Sequence, residues 1–193
     1  MDFDDALPGV GAASCPHMAI LLDSMDDVAP ALVSFYSLGL RRNGWLFHRA
    51  LPGQAAADRA AFEAEGLPVS ELEREGRFEL CELPISDPPE EWAAPWKPVV
   101  ERQLARGFDA VWWSRFPVGG DDKLFELALA YDRHWDAAFH EGARAVSLCV
   151  YIVGDLPASA RRERVENLRE VHDNTLVLGP DRRLTSQPRA DAL

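Results

Sequence analysis

Short apolar runs alternate along the chain with longer segments in which apolar residues recur every three or four positions. The apolar runs are rich in β-branched and aromatic residues and lack strict alternation of polar and apolar positions, so they predict buried β-strands. They lie at 17–22, 45–51, 77–83, 108–116, 145–153 and 175–178.

The segments between these runs predict helices. The first begins after the acidic turn 23–26 and ends at Asn43-Gly44, because glycine there favours a helix stop. The longest begins at 119–122 and ends at Glu141-Gly142, with apolar residues along one face. The remaining predicted helices lie between 53 and 66, at 69–75, before Gly107 and at 157–172, and a proline-rich loop is predicted at 84–98.

Strands that alternate with helices of this length predict a three-layer α/β domain, with a mostly parallel central sheet and helices on both faces. A chain of 193 residues is suited to one such domain. We therefore expect a flexible leader at 1–14, a domain at 15–180 and a flexible tail at 181–193.

Composition and charge narrow the classes of function that the chain could have. Lys and Arg number 20 against 32 Asp and Glu, a net charge of −12, which argues against a broad nucleic-acid footprint. Arg161, Arg162 and Arg164 could form a local basic patch, but a solvated helix face is the favoured interpretation. No apolar run approaches the roughly 18 residues of a membrane span, and the acidic N-terminus has no apolar signal core. We expect a cytoplasmic protein without membrane or direct nucleic-acid contacts.

The cysteines do not predict a disulfide framework or a metal site. Cys15, Cys81 and Cys149 are odd in number and widely spaced. Cys15 and His17 could bind a soft metal, but no second Cys/His pair follows at ligand spacing. The other candidates are scattered along the sequence, so core thiols and capping imidazoles are the favoured interpretation, and neither a metal nor a cofactor is predicted. These candidates are His48, Cys81, Cys149 and His172.

Polar residues follow or end several predicted strands, where parallel strands bring their carboxyl ends to one edge of the sheet. Asp23 and Ser24 follow the first strand, Ser114 and Arg115 end the fourth, and Tyr151 lies late in the fifth. Ligands in open α/β sheets bind at that edge. The sequence therefore predicts a small-molecule pocket there.

Two tryptophans extend this candidate site. Trp112 and Trp113 point to opposite faces of the sheet, so one could form a pocket wall while the other fills the core, although two core aromatics are slightly favoured because tryptophan is usually buried. Arg115 could bind a carboxylate or phosphate, or it could pair with Asp121 or Asp122 on the next helix.

An ordered set of motifs resembles the MEDS domain, the sensory domain of methanogens and methylotrophs named after a dichloromethane-responsive repressor. The resemblance covers about residues 15–180. Its pieces are His17, Asp23-Ser24, Phe35, Gly39-Leu40, Gly76, Tyr131-Asp132, Cys149-Val150-Tyr151 and His172. The chain departs from the family at Trp113-Ser114-Arg115, where an acidic residue is usual, and at Cys149-Val150-Tyr151-Ile152, where the family has Cys-Gln-Tyr-Asp.

The resemblance also implies a degenerate relative of RecA-like ATPases. In such enzymes the first strand leads into a glycine-rich loop that ends in lysine and binds phosphates. Here residues 22–27 contain no glycine and no lysine, and they carry three aspartates, Asp23, Asp26 and Asp27, which would repel a triphosphate. We therefore expect a RecA-like fold without a phosphate-binding loop.

These features favour a non-catalytic sensory, ligand-binding or protein-interaction module in bacterial or archaeal signal transduction or transcriptional regulation. Its expected partner is a small-molecule ligand or a regulatory protein, and it could form a homodimer. The alternative is an enzyme of unknown reaction that uses residues such as His17, Asp23 and Arg115 at the sheet edge.

Overall fold

A mostly parallel sheet of seven strands lies at the centre of the molecule, in a computed structural model that describes residues 3, 16–83, 88–89, 95–139, 144–179 and 184–189. The strands follow the order β3-β2-β4-β5-β1-β6-β7, and only β7 runs antiparallel to its neighbour, β6. They are β1 (His17–Leu22), β2 (Gly44–Ala50), β3 (Phe78–Glu82), β4 (Ala110–Arg115), β5 (Ala145–Ile152), β6 (Asn174–Leu178) and β7 (Leu184–Pro188).

Helices cover both faces of this sheet. α1, α2 and α3 pack on one face and α4, α5 and α6 on the other. They are α1 (Val28–Arg41), α2 (Ala55–Ala64), α3 (Val69–Arg74), α4 (Trp96–Ala105), α5 (Asp122–Phe139) and α6 (Ala158–Val171). This confirms the predicted three-layer α/β class. None of the helices in the described part of the chain combines the length and hydropathy that a bilayer crossing requires.

The central strands are buried on both faces, which explains why their sequences are apolar without strict alternation. In β1, Met18, Ile20 and Leu22 pack against the α1 side, while Ala19 and Leu21 pack against the α5 and α6 side. Every residue of the strand is buried. Alternate residues of neighbouring strands therefore reach the same helical layer.

Trp112 of β4 is accommodated by two glycines on the α1 side of the sheet. A Cβ atom added to Gly39 would lie 2.7 Å from Cγ of the indole, and one added to Gly44 would lie 2.2 Å from Cδ1. The indole thus occupies the space that side chains at these two positions would need. Trp113 points to the opposite face and stacks on Phe47, with ring centroids 4.1 Å apart.

The structure describes short pieces of both predicted ends. Residues 184–188 of the predicted tail form β7, which pairs with β6 along its whole length. Phe3 of the predicted leader is buried, with its ring centroid 6.0 Å from that of Phe35. Cys15, the helix stop at 141–142 and most of the loop predicted at 84–98 lie outside the described residues.

Candidate functional site

Six polar side chains are buried together between the sheet and α5, α6. We call this group the Asp132 cluster. Each member has at most 5% of its surface exposed. The members are His17, Arg115, Asp132, Cys149, Tyr151 and His172.

The sheet topology brings these residues together. Strand β5 lies between β4 and β1, so Cys149 and Tyr151, two positions apart, project on the same face between Arg115 and His17. The inner face of α5 then supplies Asp132 from above. The cluster therefore joins three central strands to one helix.

The carboxylate of Asp132 is the hub of the cluster. Arg115 Nη2 donates to both of its oxygens, at 3.1 Å to Oδ1 and 3.0 Å to Oδ2. The Tyr151 hydroxyl donates to Oδ2, and Cys149 Sγ lies 3.2 Å from Oδ1. Arg115 Nη2 also donates to the Tyr151 oxygen at 3.0 Å. The carboxylate thus accepts from a cation and a hydroxyl and lies beside a thiol.

Burial and neighbouring charges determine whether Asp132, Cys149 and Tyr151 are ionised. Burial alone would raise the pKa of Asp132, but Arg115 and then the neighbouring histidines outweigh it and hold the pKa well below its usual range. Burial, reinforced by the Asp132 charge, raises the pKa of both Cys149 and Tyr151 well above their usual values. The cluster therefore holds one buried ion pair, Arg115 with Asp132, beside a protonated thiol and a protonated phenol.

Each histidine directs its Nε2 atom into the cluster, and Nε2 of His17 lies 3.6 Å from Cys149 Sγ. His172 Nδ1 lies 2.9 Å from the Leu168 carbonyl, to which it donates, so in the neutral ring Nε2 presents a lone pair. That Nε2 lies 3.3 Å from Asp132 Oδ2 and has no hydrogen-bond partner among the described residues. His17 lies 4.2 Å from His172 between ring centroids, and burial followed by His172 lowers its pKa.

A second carboxylate lies one helical turn along α5. Asp136 Oδ1 is 3.8 Å from His17 Nδ1, and Asp136 Oδ2 accepts from Arg189 Nη1 at 3.0 Å. Partial burial opposes ionisation here, but His17 and Arg189 lower the pKa of Asp136 to about 2. This contact links the cluster to the residue that follows β7.

The structure brings together two of the seven residues predicted for the site, Arg115 and Tyr151. Asp23 instead pairs with Arg161 on the surface at 3.0 Å, and the Ser24 side chain accepts from the Asp26 backbone at 3.1 Å. Trp112 and Trp113 pack in the cores on opposite faces, and the Ser114 hydroxyl donates to the Leu148 carbonyl at 2.8 Å.

Backbone contacts connect the loops at the carboxyl edge where the pocket was predicted. Val118 pairs with β5 through its N–H on the Val150 carbonyl at 2.9 Å and its carbonyl on the Ile152 N–H at 2.8 Å. Gly154 lies directly against the Asp23 backbone. Arg115 and Tyr151 both contact Asp132 of α5.

Sequence reasoning missed Asp132, Cys149 and His172 as site residues, and it named His17 only for the alternative enzyme and as a possible metal ligand with Cys15. All four belong to the motifs that carried the family resemblance, and that was the signal available. Arg115 pairs with Asp132, so both partners predicted for it, Asp121 and Asp122, were wrong.

Cys149 and His172 are far apart in the sequence, but the fold brings both of them together with His17 in the cluster. Cys81 lies outside the cluster, on β3, three strands away from β5. The sequence also predicted that Arg164 lies on a solvated helix face with Arg161 and Arg162, and this is wrong for Arg164. Its side chain is buried over the Phe125 ring and pairs with Asp122 at 2.8 Å.

Four members of the cluster carry atoms that can bind a metal ion. One ligand atom from each of His17, Asp132, Cys149 and His172 lies within 4.8 Å of all the others. The thiol and the phenol are protonated and buried, so this state of the cluster is poorly suited to nucleophilic attack on a dissolved substrate.

Comparison with known families identifies one match. Residues 16–173 match the family model described as MEDS, MEthanogen/methylotroph, DcmR Sensory domain. The matched range includes the whole Asp132 cluster. The comparison with curated proteins found no match.

Proposed function

The chain belongs to the MEDS family of sensory domains, and from this premise we propose that it is a non-catalytic input module of signal transduction or transcriptional regulation, with the Asp132 cluster as its sensing element. One observation carries the proposal: a buried ion pair with four further polar side chains joins three central strands to a single helix.

The energetics of such a cluster favour a functional role. A buried ion pair contributes little net stability, because the desolvation of both charges offsets their attraction. Apolar side chains of similar volume often serve a core equally well or better. A domain that needed only a stable core would gain little from placing Arg115 and Asp132 there.

The proposed response is a movement of α5 relative to the sheet. Asp132 is the point at which α5 contacts Arg115, Tyr151 and Cys149. A ligand or chemical change that competes for this carboxylate stabilises a state in which α5 is displaced, and the population shifts accordingly. Asp136 transmits the displacement to Arg189 and the end of β7.

The surface that includes α5 and β7 then contacts the partner. We propose that a small-molecule ligand is the signal and that a regulatory protein, or a second copy of the chain, reads the position of α5 and β7. An enzyme that acts on a small substrate is the alternative.

The test is hydrogen–deuterium exchange of the full chain in the presence of one- and two-carbon alcohols, amines, acids and halides. We expect at least one compound to change exchange in α5 and β7 and to be recovered chemically unchanged. A variant with Arg115→Met and Asp132→Leu should keep the fold and lose this response.

The matched control is the pair Arg59→Met and Glu73→Leu, which removes an ion pair of 2.6 Å on the opposite side of the sheet. It should leave the response intact. Chemical conversion of the compound would support the enzyme instead, and an unchanged response in the Arg115/Asp132 variant would contradict the role of the cluster.

A further inference from the structure

We propose that His17, Asp132, Cys149 and His172 form a tetrahedral site for one Zn²⁺ ion. The inference stands on the geometry of the ligand atoms and holds or fails whether or not the cluster is the sensing element.

Three contacts between the ligand atoms lie close to the edge lengths of a zinc tetrahedron, with Asp132 taking part through Oδ1 in one and through Oδ2 in another. Zinc binds sulfur at about 2.3 Å and nitrogen or oxygen at about 2.0–2.2 Å, so the ligand atoms of a tetrahedral site lie roughly 3.3–3.6 Å apart. Here Cys149 Sγ is 3.6 Å from His17 Nε2 and 3.2 Å from Asp132 Oδ1. His172 Nε2 is 3.3 Å from Asp132 Oδ2.

The remaining atoms of the ligands are held as they are in known metal sites. A metal-binding histidine almost always directs its other ring nitrogen to a carboxylate or a backbone carbonyl. His172 Nδ1 donates to the Leu168 carbonyl, and His17 Nδ1 faces the Asp136 carboxylate. Both Nε2 atoms are thereby directed toward the other ligands.

The carboxylate ligand is oriented in the same way. Arg115 and Tyr151 both donate to Asp132, which fixes the plane of the carboxylate and keeps it ionised. Ligating carboxylates are usually hydrogen-bonded by such outer residues.

A cation would also give a partner to Nε2 of His172. This buried atom has no hydrogen-bond partner among the described residues and lies 3.3 Å from Asp132 Oδ2. Because Nδ1 donates to the Leu168 carbonyl, Nε2 is the ring nitrogen that is available to a metal ion. A metal ion between Nε2 and Oδ2 accepts a lone pair from each, whereas a proton on Nε2 would satisfy both atoms without any metal.

The donor set selects the metal. One thiol sulfur and two imidazole nitrogens favour zinc over the hard cations Mg²⁺ and Ca²⁺, which prefer oxygen ligands. Binding converts the Cys149 thiol to a thiolate and releases its proton to solvent. Because the site is buried, the ion should enter while the chain folds.

The test measures metal content and cobalt spectra on the full chain. Protein refolded with ZnCl₂ and then desalted should contain one zinc per chain by elemental analysis. Protein refolded with CoCl₂ should show the visible bands of tetrahedral cobalt and a near-ultraviolet thiolate-to-cobalt band.

Two cysteine variants make the assignment specific. Cys149→Ser should lose the thiolate-to-cobalt band, whereas Cys81→Ser, which removes a thiol outside the cluster, should retain it together with the full zinc content. If Cys149→Ser does not fold, the spectrum of the unsubstituted chain decides. A folded chain without stoichiometric zinc, without the thiolate band, or with a band that survives Cys149→Ser would overturn the proposal and leave a proton on His172.

Discussion

At the scale of single residues, the two described cysteines differ in the surroundings that raise the pKa of each thiol. Cys149 is buried within the Asp132 cluster, whereas Cys81 is half-buried on the edge strand β3. Burial, with a smaller contribution from Glu79, raises the pKa of Cys81 to about 11, and Arg49 opposes this only in part. Location in the sheet thus makes Cys81 a poor nucleophile despite its partial exposure.

We predict that Cys81 reacts slowly with iodoacetamide at neutral pH. The thiolate is the reactive form, so a pKa near 11 should slow alkylation at pH 8 by roughly 100-fold relative to an ordinary cysteine. Mass spectrometry of the peptide that contains Cys81 gives the rate. The rate should still be rising at pH 10, and a plateau near pH 9 would contradict the prediction.

Gly154 packs directly against the backbone of Asp23 in the turn after β1. A Cβ atom at this position would lie 2.0 Å from the Asp23 carbonyl oxygen, so Gly154→Ala forces the two loops apart. We expect the free energy of unfolding to fall by about 1–3 kcal/mol in denaturant titrations. Gly119→Ala is the control, because nothing lies within 4 Å of its added Cβ. Equal effects of the two substitutions would refute the steric explanation.

The site residues show what sequence could and could not predict at this scale. Arg115 and Tyr151 were found because the ends of parallel strands are recognisable in sequence. Asp132 was missed because an acidic residue on an amphipathic helix usually faces solvent, and only its packing over Arg115 reveals that it is buried. His17 and His172 come from opposite ends of the domain and meet only after β1 and β6 pair.

At the scale of elements, the turn after β1 determines what the sheet edge can bind. It carries Asp23, Asp26 and Asp27, and Ser24 caps a single turn of 3-10 helix over Met25–Asp27 before α1. In this cap the Ser24 side-chain oxygen accepts from the Asp26 backbone N–H. That N–H is therefore not available to bind a phosphate.

We therefore predict that Mg-ATP does not bind tightly and is not hydrolysed. Negative side chains on the turn repel a triphosphate, and the loop at Gly154 lies against the Asp23 backbone. Isothermal calorimetry should show no binding heat at micromolar nucleotide. Micromolar affinity accompanied by phosphate release would show that the turn binds nucleotide in another conformation.

The elements themselves were largely predictable, since apolar runs of strand length alternate with amphipathic segments. β1 occupies 17–22 as predicted. β7 was missed because its sequence, LTSQP, has one large apolar residue and ends in proline. Its strand conformation depends on antiparallel pairing with β6, a contact that local sequence does not encode.

At the scale of the whole molecule, the net charge of −12 opposes folding through repulsion among surface carboxylates. Salt screens such exposed charges over about 8–10 Å near physiological ionic strength, while the buried Arg115–Asp132 pair is screened much less. The two kinds of electrostatic interaction should therefore respond differently to salt.

We predict that the melting temperature rises by a few degrees between low salt and about 0.3 M NaCl, because screening relieves the surface repulsion first. Differential scanning calorimetry measures the change, and choline chloride at the same ionic strength controls for specific ion binding. A melting temperature that falls with salt would mean that attractive surface pairs outweigh the repulsion.

The indole of Trp112, seated over Gly39 and Gly44, has an evolutionary consequence. Side chains at these two positions would come within 2.7 and 2.2 Å of the ring, so neither glycine can be replaced while the tryptophan remains in place. Related chains that keep tryptophan at position 112 should therefore keep both glycines, and chains with a side chain at 39 or 44 should carry a smaller residue at 112. The three positions should covary as one unit, although they lie on a helix and two different strands.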